Sequence, residues 1–126
     1  MNNKNIIFLK KELDKVNNLF REKEFNLVIQ KSRVLLKKYP NQAIIYNFIG
    51  LSYFELGENN KALEIFLLAN QRLASEPSVL CNTGIAYKNL DELTSARKYF
   101  KKALNINSKH VPSHINLGHL ENDLNH

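Results

Sequence analysis

The side chains best suited to metal binding or nucleophilic chemistry in this 126-residue sequence are four histidines, His110, His114, His119 and His126, and one cysteine, Cys81. His110 and His114 stand four apart, a spacing that puts two imidazoles on one face of a helix. Pro112 lies between them and marks a helix start, so that register does not hold. No second sulfur and no set of carboxylates completes a tetrahedral site. The histidines therefore read as packing or solvent-facing residues. A lone cysteine makes no internal disulfide. With no histidine placed to activate it, Cys81 is not expected to be a nucleophile. Nor do the four glycines form a phosphate-cradling loop. No cofactor, no metal and no catalytic group are expected, so the sequence reads as a non-enzyme.

The charged and aromatic residues invite other chemistry. The net charge is +6, all of it contributed by residues 1–42, which hold ten basic residues against four acids. Residues 43–126 balance eight against eight. A nucleic-acid or anionic-lipid surface, if present, belongs to the first third, around Lys10, Lys11, Lys15, Lys37 and Lys38. Arg97, Lys98, Lys101 and Lys102 form a second basic strip at helical spacing, best read as a solvated face. Tyr53, Tyr87, Phe66 and Phe100 have the chemistry of a base-stacking platform, but their spacing places them in a core, and nucleic acid is not the expected ligand. At 44% hydrophobic and 24% charged, the composition is that of a globular domain. The longest apolar runs, Ile6–Leu9 and Ile65–Ala69, are far shorter than the ~20 residues a membrane helix needs. No secretory signal is apparent, and a cytoplasmic setting is expected.

The elements that position these residues recur at a fixed period. Gly50, Gly84 and Gly118 are each 34 apart, and the same shift carries Tyr53 to Tyr87, Ala62 to Ala96, Phe66 to Phe100, Ala69 to Ala103 and Asn82 to Asn116. Within each unit the apolar residues recur at three and four, the helical period. Leu56-Gly57-Glu58-Asn59 supplies a glycine stop and an asparagine cap between two helices, and Asn89-Leu90-Asp91-Glu92 its counterpart with aspartate. Ser75 before Pro77 and Ser108 before Pro112 predict hydroxyl-capped helix starts. Glycine in a helix interior costs ~1 kcal/mol relative to alanine. Its recurrence is explained by close helix approach, with Phe66 and Phe100 filling the space opposite. His114 falls where the repeat carries its buried aromatic. Ile115, Leu117, Leu120 and Leu124 give the last helix an apolar side.

These residues resemble the tetratricopeptide repeat (TPR) family, whose signature is a large apolar residue, leucine-glycine, tyrosine, alanine, aromatic and alanine, closed by proline. Unit 43–76 supplies Tyr46, Ile49, Gly50, Tyr53, Ala62, Phe66 and Ala69, with Ala74 in place of the proline. Unit 77–110 supplies Leu80, Gly84, Tyr87, Ala96, Phe100 and Ala103, with Thr83 and Ser108 departing. Residues 9–42 make a worn first repeat, through Leu19, Val28, Leu35 and Pro40, and residues 111–126 a first helix only, which serves as a cap or opens a further repeat. The resemblance implies one all-α domain over 1–126, a right-handed solenoid of antiparallel helix pairs with about seven helices.

The resemblance also implies a function. TPR solenoids bind proteins on the concave wall built by the first helix of each repeat, here Asn47, Leu51, Phe54, Asn82, Ile85, Lys88, Asn89, Asn116 and His119. An asparagine amide donates and accepts at once and so suits a peptide backbone. Asn82 and Asn116, one repeat apart, are similar to the asparagine ladder of the O-GlcNAc transferase solenoid, although Phe48 replaces the preceding rung. The carboxylate clamp of chaperone-binding members fits poorly. Asn47 and Asn82 match it, but Leu51, Pro112 and Asn116 stand where an asparagine and two basic residues are wanted. The expected role is a protein-binding scaffold that holds an extended peptide or a helix. The alternatives are the substrate-docking part of a larger glycosyltransferase- or sulfotransferase-like enzyme, and a module that self-associates through its terminal helices.

Overall fold

The computed structural model describes residues 1–125; His126, the last of the four histidines, lies outside them. Seven helices and no strand are found among the described residues: α1 (Asn3–Arg21), α2 (Phe25–Lys38), α3 (Ala43–Glu55), α4 (Asn59–Arg72), α5 (Pro77–Asn89), α6 (Leu93–Ile106) and α7 (Val111–Leu124). Each helix packs on its neighbour in the chain, and the first helices α1, α3, α5 and α7 also pack on one another in sequence. The result is an all-α solenoid of helix pairs. The period of 34 survives at the level of helix ends: α2, α4 and α6 start and stop 34 residues apart, and so do α3 and α5. The first helix departs from the period, starting at Asn3 and not near residue 9. The Asn2 side chain caps that start, accepting from the Asn5 amide at 2.9 Å.

The turn inside each pair is the same object three times. Lys23, Gly57 and Asp91 have φ of 62°, 74° and 63°, the left-handed conformation. Their amides donate to Phe20, Phe54 and Lys88, and the next amides, of Glu24, Glu58 and Glu92, reach back to Leu19, Tyr53 and Tyr87. This double closure is the Schellman arrangement, which satisfies the last carbonyls of the first helix. It also displaces the caps expected from the sequence. Glu58 and Glu92, not Asn59 and Asp91, occupy the N-cap positions, and neither makes a side-chain cap. Asp91 is instead the left-handed residue itself. Ser75 and Ser108 do not cap either, since α5 and α7 begin after Glu76 and His110 with a proline in the first turn.

Packing follows the repeat. Phe66 and Phe100 are fully buried, as are Ala62, Ala96, Ala69 and Ala103. A methyl group built on Gly50 would lie 2.1 Å from the Phe66 ring, and one on Gly84 2.5 Å from the Phe100 ring. Each glycine is thus the socket for the aromatic of the following helix. Thr83, which replaces leucine beside Gly84, is tolerated in the core because its hydroxyl donates to the Val79 carbonyl at 2.7 Å and accepts from the Asn70 amide at 2.8 Å. A buried hydroxyl left unpaired would cost ~1–3 kcal/mol. The last helix differs from expectation. Of its four apolar residues expected to pack, only Leu120 is fully buried and Leu117 packs partly, whereas Ile115 and Leu124 are exposed. His114 is exposed as well, its ring bonded to the Ser108 carbonyl at 2.6 Å; among the described residues α7 packs only on α5 and α6.

Candidate binding groove

The first helices bring part of the expected wall together. Residues on neighbouring first helices meet at separations of 31 and 35, not at the repeat length of 34. Asn82 Nδ2 donates to Asn47 Oδ1 at 3.0 Å, and Asn47 Nδ2 donates to Ser78 Oγ at 3.2 Å. The three side chains form a continuous polar run across α3 and α5, partly open to solvent. One repeat further on, the same separation of 35 sets Asn116 Nδ2 at 3.9 Å from Cys81 Sγ. Asn116 also donates to the Pro112 carbonyl at 2.8 Å. The two expected rungs are therefore unlike: Asn82 faces another amide, Asn116 a thiol and its own helix.

The apolar members are half-buried. The Phe54 ring lies 5.5 Å from that of Phe66, and Ile85 packs against the cluster of Cys81, Ala96, Phe100 and Leu120. Both shape the wall while belonging partly to the core. Leu51 and Lys88 are half-buried, and His119 is exposed. Asn89 points elsewhere, donating to Asn59 Oδ1 on α4 at 3.2 Å. Ser78, which joins this polar run through Asn47, is not among the residues expected from the sequence. Its signal was present only as a separation of 31 from Asn47, which has no meaning until the stagger of the helices is known.

Cys81 is buried, and burial pushes its thiol up, with a hydrogen bond to Ser113 acting the other way. A protonated, enclosed thiol is a poor nucleophile. His110 Nδ1 and Ser113 Oγ are 2.7 Å apart, a nucleophile–base distance, yet Ser113 is fully buried. That contact spans the first turn of α7 and joins its ends. No group of three or more His, Cys, Asp or Glu able to hold a metal exists among the described residues, and no described helix is long and apolar enough to cross a membrane. A cavity of about 560 Å³ opens between α4 and α6, lined by Leu67, Asn70, Tyr99 and Lys102 among others, away from the first-helix wall.

The helix pairs, the left-handed turns and the glycine–aromatic sockets are reflected in the comparison with known families. The sequence profile described as Tetratricopeptide repeat matches residues 43–72 and 77–110, just over half of the chain. The chain belongs to the tetratricopeptide repeat family. In sequence it is similar to the anaphase-promoting complex subunit CDC16 of Saccharomyces cerevisiae, 31% identical over 94 residues. That match covers 69% of this chain and 11% of the yeast protein, so the chain spans about a tenth of the relative's length. In structure it is similar to the first TPR of Spaghetti (RPAP3) bound to the HSP90 peptide SRMEEVD, with a TM-score of 0.82, 19% identity and coverage of 93% of this chain and 95% of that one. The Sgt2 TPR domain of Aspergillus fumigatus gives a TM-score of 0.84 at 17% identity, covering 92% of this chain and 78% of that one. At such identities these likenesses establish the TPR fold.

Proposed function

We propose that this chain is a non-catalytic interaction module whose first-helix wall holds an extended peptide or a helix of a protein partner. The observation that carries the reading is the Asn82–Asn47–Ser78 run. Each asparagine uses one amide hydrogen on its neighbour and retains a second donor, while Asn82 Oδ1 has no protein donor among the described residues. A partly exposed row of spare donors and acceptors matches the alternating N–H and C=O groups of an extended backbone. Leu51, Phe54 and Ile85 add apolar contact beside it, and Lys88, Asn116 and His119 form the rim, while Asn89 is turned toward α4.

The HSP90 peptide in the Spaghetti structure ends in acidic residues. Lys88 is the one side chain of permanent positive charge among the wall residues proposed here, so a charge-assisted clamp of that kind lacks most of its donors. The partner of this chain is instead held through main-chain pairing and apolar contact. Rigidity contributes to affinity: sockets filled by Phe66 and Phe100 fix the wall, and a preorganised surface loses little freedom on binding. Selection from a displayed library of unstructured peptides, followed by calorimetry, tests the reading. Selected peptides should bind the wild type and lose at least tenfold affinity for an Asn47→Ala/Asn82→Ala variant of unchanged melting temperature. Equal affinity for both proteins would refute the wall as the site.

A further inference from the structure

Successive second helices border cavities in a register that repeats. Between α2 and α4 a cavity of about 350 Å³ is lined by Arg33, Leu36, Lys37, Ile65, Leu68 and Arg72. Their counterparts one repeat later, Leu67, Asn70, Gln71, Tyr99, Lys102 and Ile106, all line the cavity between α4 and α6. The hollow is thus a product of the repeat, but its chemistry is not. Leu67, Gln71 and Ile106 in the second stand where the first has Arg33, Lys37 and Arg72. The one cation of the second, Lys102, lies 4.8 Å from the centre of the Tyr99 ring. Both arginines of the first are held by neutral groups. Arg33 Nη2 donates to Tyr53 Oη at 2.8 Å, and Arg72 Nη1 donates to Tyr46 Oη at 3.4 Å, whose own proton goes to the Pro40 carbonyl at 2.7 Å. The hydroxyls orient the guanidinium groups without neutralising them, and each group keeps further N–H donors. Neither arginine nor Lys37 forms a salt bridge among the described residues. An adjoining hollow of about 270 Å³, which shares Arg33, Ile65 and Leu68, adds Lys61 and a single acid, Glu64.

We infer that the α2–α4 cavity binds an organic phosphate, a phosphomonoester dianion carried on an apolar stem. Its lining joins three permanent cations to the aliphatic side chains of Leu36, Ile65 and Leu68, which asks for an anion whose body is apolar. A phosphomonoester carries a charge of about −1.5 to −2 at pH 7 and three acceptor oxygens, enough to engage two guanidinium groups and an ammonium. Guanidinium forks match phosphate oxygens in pairs, and such charge-assisted bonds are the strong ones. The aliphatic side chains take the stem, an aromatic ring or a short chain. Seating the stem there keeps water from one side of the ion pairs, and lower local polarity strengthens them. The repeat supplies an internal control, since the α4–α6 cavity has the same register without the cations or their anchors: Leu67 and Ile106 can make no such bond to Tyr87 and Leu80, the counterparts of Tyr53 and Tyr46. This site lies on the second helices, and the inference does not rest on the peptide-binding reading.

The test titrates the isotope-labelled full chain with phenyl phosphate at low salt, followed by amide and arginine side-chain N–H shifts. Saturable shifts should centre on Arg33, Lys37, Leu68 and Arg72. Benzoate, a monoanion on the same ring, and inorganic phosphate, which has no stem, should each bind at least fivefold more weakly. Arg33→Gln/Arg72→Gln should weaken phenyl phosphate binding at least tenfold. Lys98→Gln/Lys101→Gln, which removes the same charge from α6, should leave it within twofold. Both arginines are exposed, so the first variant should keep its melting temperature. If it melts lower, Lys37→Gln, at another exposed position, should still weaken binding at least threefold. A phosphotyrosine peptide with neutral flanks that outbinds phenyl phosphate assigns the phosphate to a protein side chain; equal or weaker binding assigns it to a free phosphate ester. The inference is overturned by shifts that do not saturate at millimolar ligand, by equal losses in the two double variants, or by benzoate binding as tightly as phenyl phosphate. A single-stranded oligonucleotide held more tightly than phenyl phosphate, and released by Arg33→Gln/Arg72→Gln, would assign the cavity to a phosphodiester backbone and overturn the monoester.

Discussion

Gly84 and Gly118 stand at the same place in successive repeats and meet opposite surroundings. The first lies under the Phe100 ring; the second has open space above it. The same residue type thus acts as a packing device in one helix and an unfilled position in the next. What makes a TPR glycine structural is the aromatic sixteen residues later, not the glycine itself. That view also explains why Cys81 is sealed and Ile115 is not, and why Leu120, which faces back onto the α5–α6 pair, is the one fully buried large residue of α7.

The comparison can be broken most forcefully at the aromatic. Phe66→Ala and Phe100→Ala should each cost ~3–5 kcal/mol in chemical denaturation, the range for emptying a buried phenylalanine site. A loss below about 1 kcal/mol would mean that the sockets collapse freely and are not the organising contact. Next comes the glycine. Gly84→Ala forces its methyl against the Phe100 ring and should destabilise by ~1–3 kcal/mol, as overpacking does. Gly118→Ala, by contrast, should stabilise by up to ~1 kcal/mol through helix propensity alone. Opposite signs for one substitution at two equivalent positions are the sharpest form of the comparison, and parallel melting curves would check it.

Smaller effects extend it. Lys23 holds the left-handed turn position that Gly57 fills with glycine. Lys23→Gly should add ~0.5–1 kcal/mol, since a side chain there costs about 1–2 kcal/mol and glycine's added freedom in the unfolded chain offsets part of the gain. The pH dependence should be slighter still. Burial raises the Cys81 thiol, so the unfolded chain releases that proton at lower pH than the folded one. Its contribution to stability is complete below the ordinary thiol value of about 8.5 and declines as pH rises above it. A Cys81→Ser variant should show a flatter stability profile between about pH 8 and 10 than the wild type, and an aromatic disulfide reagent should label Cys81 only after unfolding.

Much of the fold was legible because the 34-residue period writes each contact twice. Gly50 with Phe66 and Gly84 with Phe100 could be paired from the sequence, and the helix pairs followed. Three features were not legible in the same way. The start of α1 at Asn3 has no second copy to compare with. Asn59 and Asp91 favour caps by residue type, while the hydrogen bonds of the Schellman turn put Glu58 and Glu92 at the N-cap positions; the recurrence of glutamate at 24, 58 and 92 is the sign the sequence offers. The pairing in the groove depends on the stagger between first helices, a tertiary quantity. Asn47 and Asn82 were therefore placed on one wall, but their bond, and the part of Ser78 in it, needed coordinates.

The central claim, that the first-helix wall is the working surface, is tested most directly by amide-shift mapping of the isotope-labelled chain with a peptide selected from the displayed library. The account predicts perturbations on α3 and α5 concentrated at Asn47, Leu51, Ser78, Asn82 and Lys88, which disappear in the Asn47→Ala/Asn82→Ala variant. Perturbations confined to α2, α4 and α6, unchanged in that variant, would contradict it.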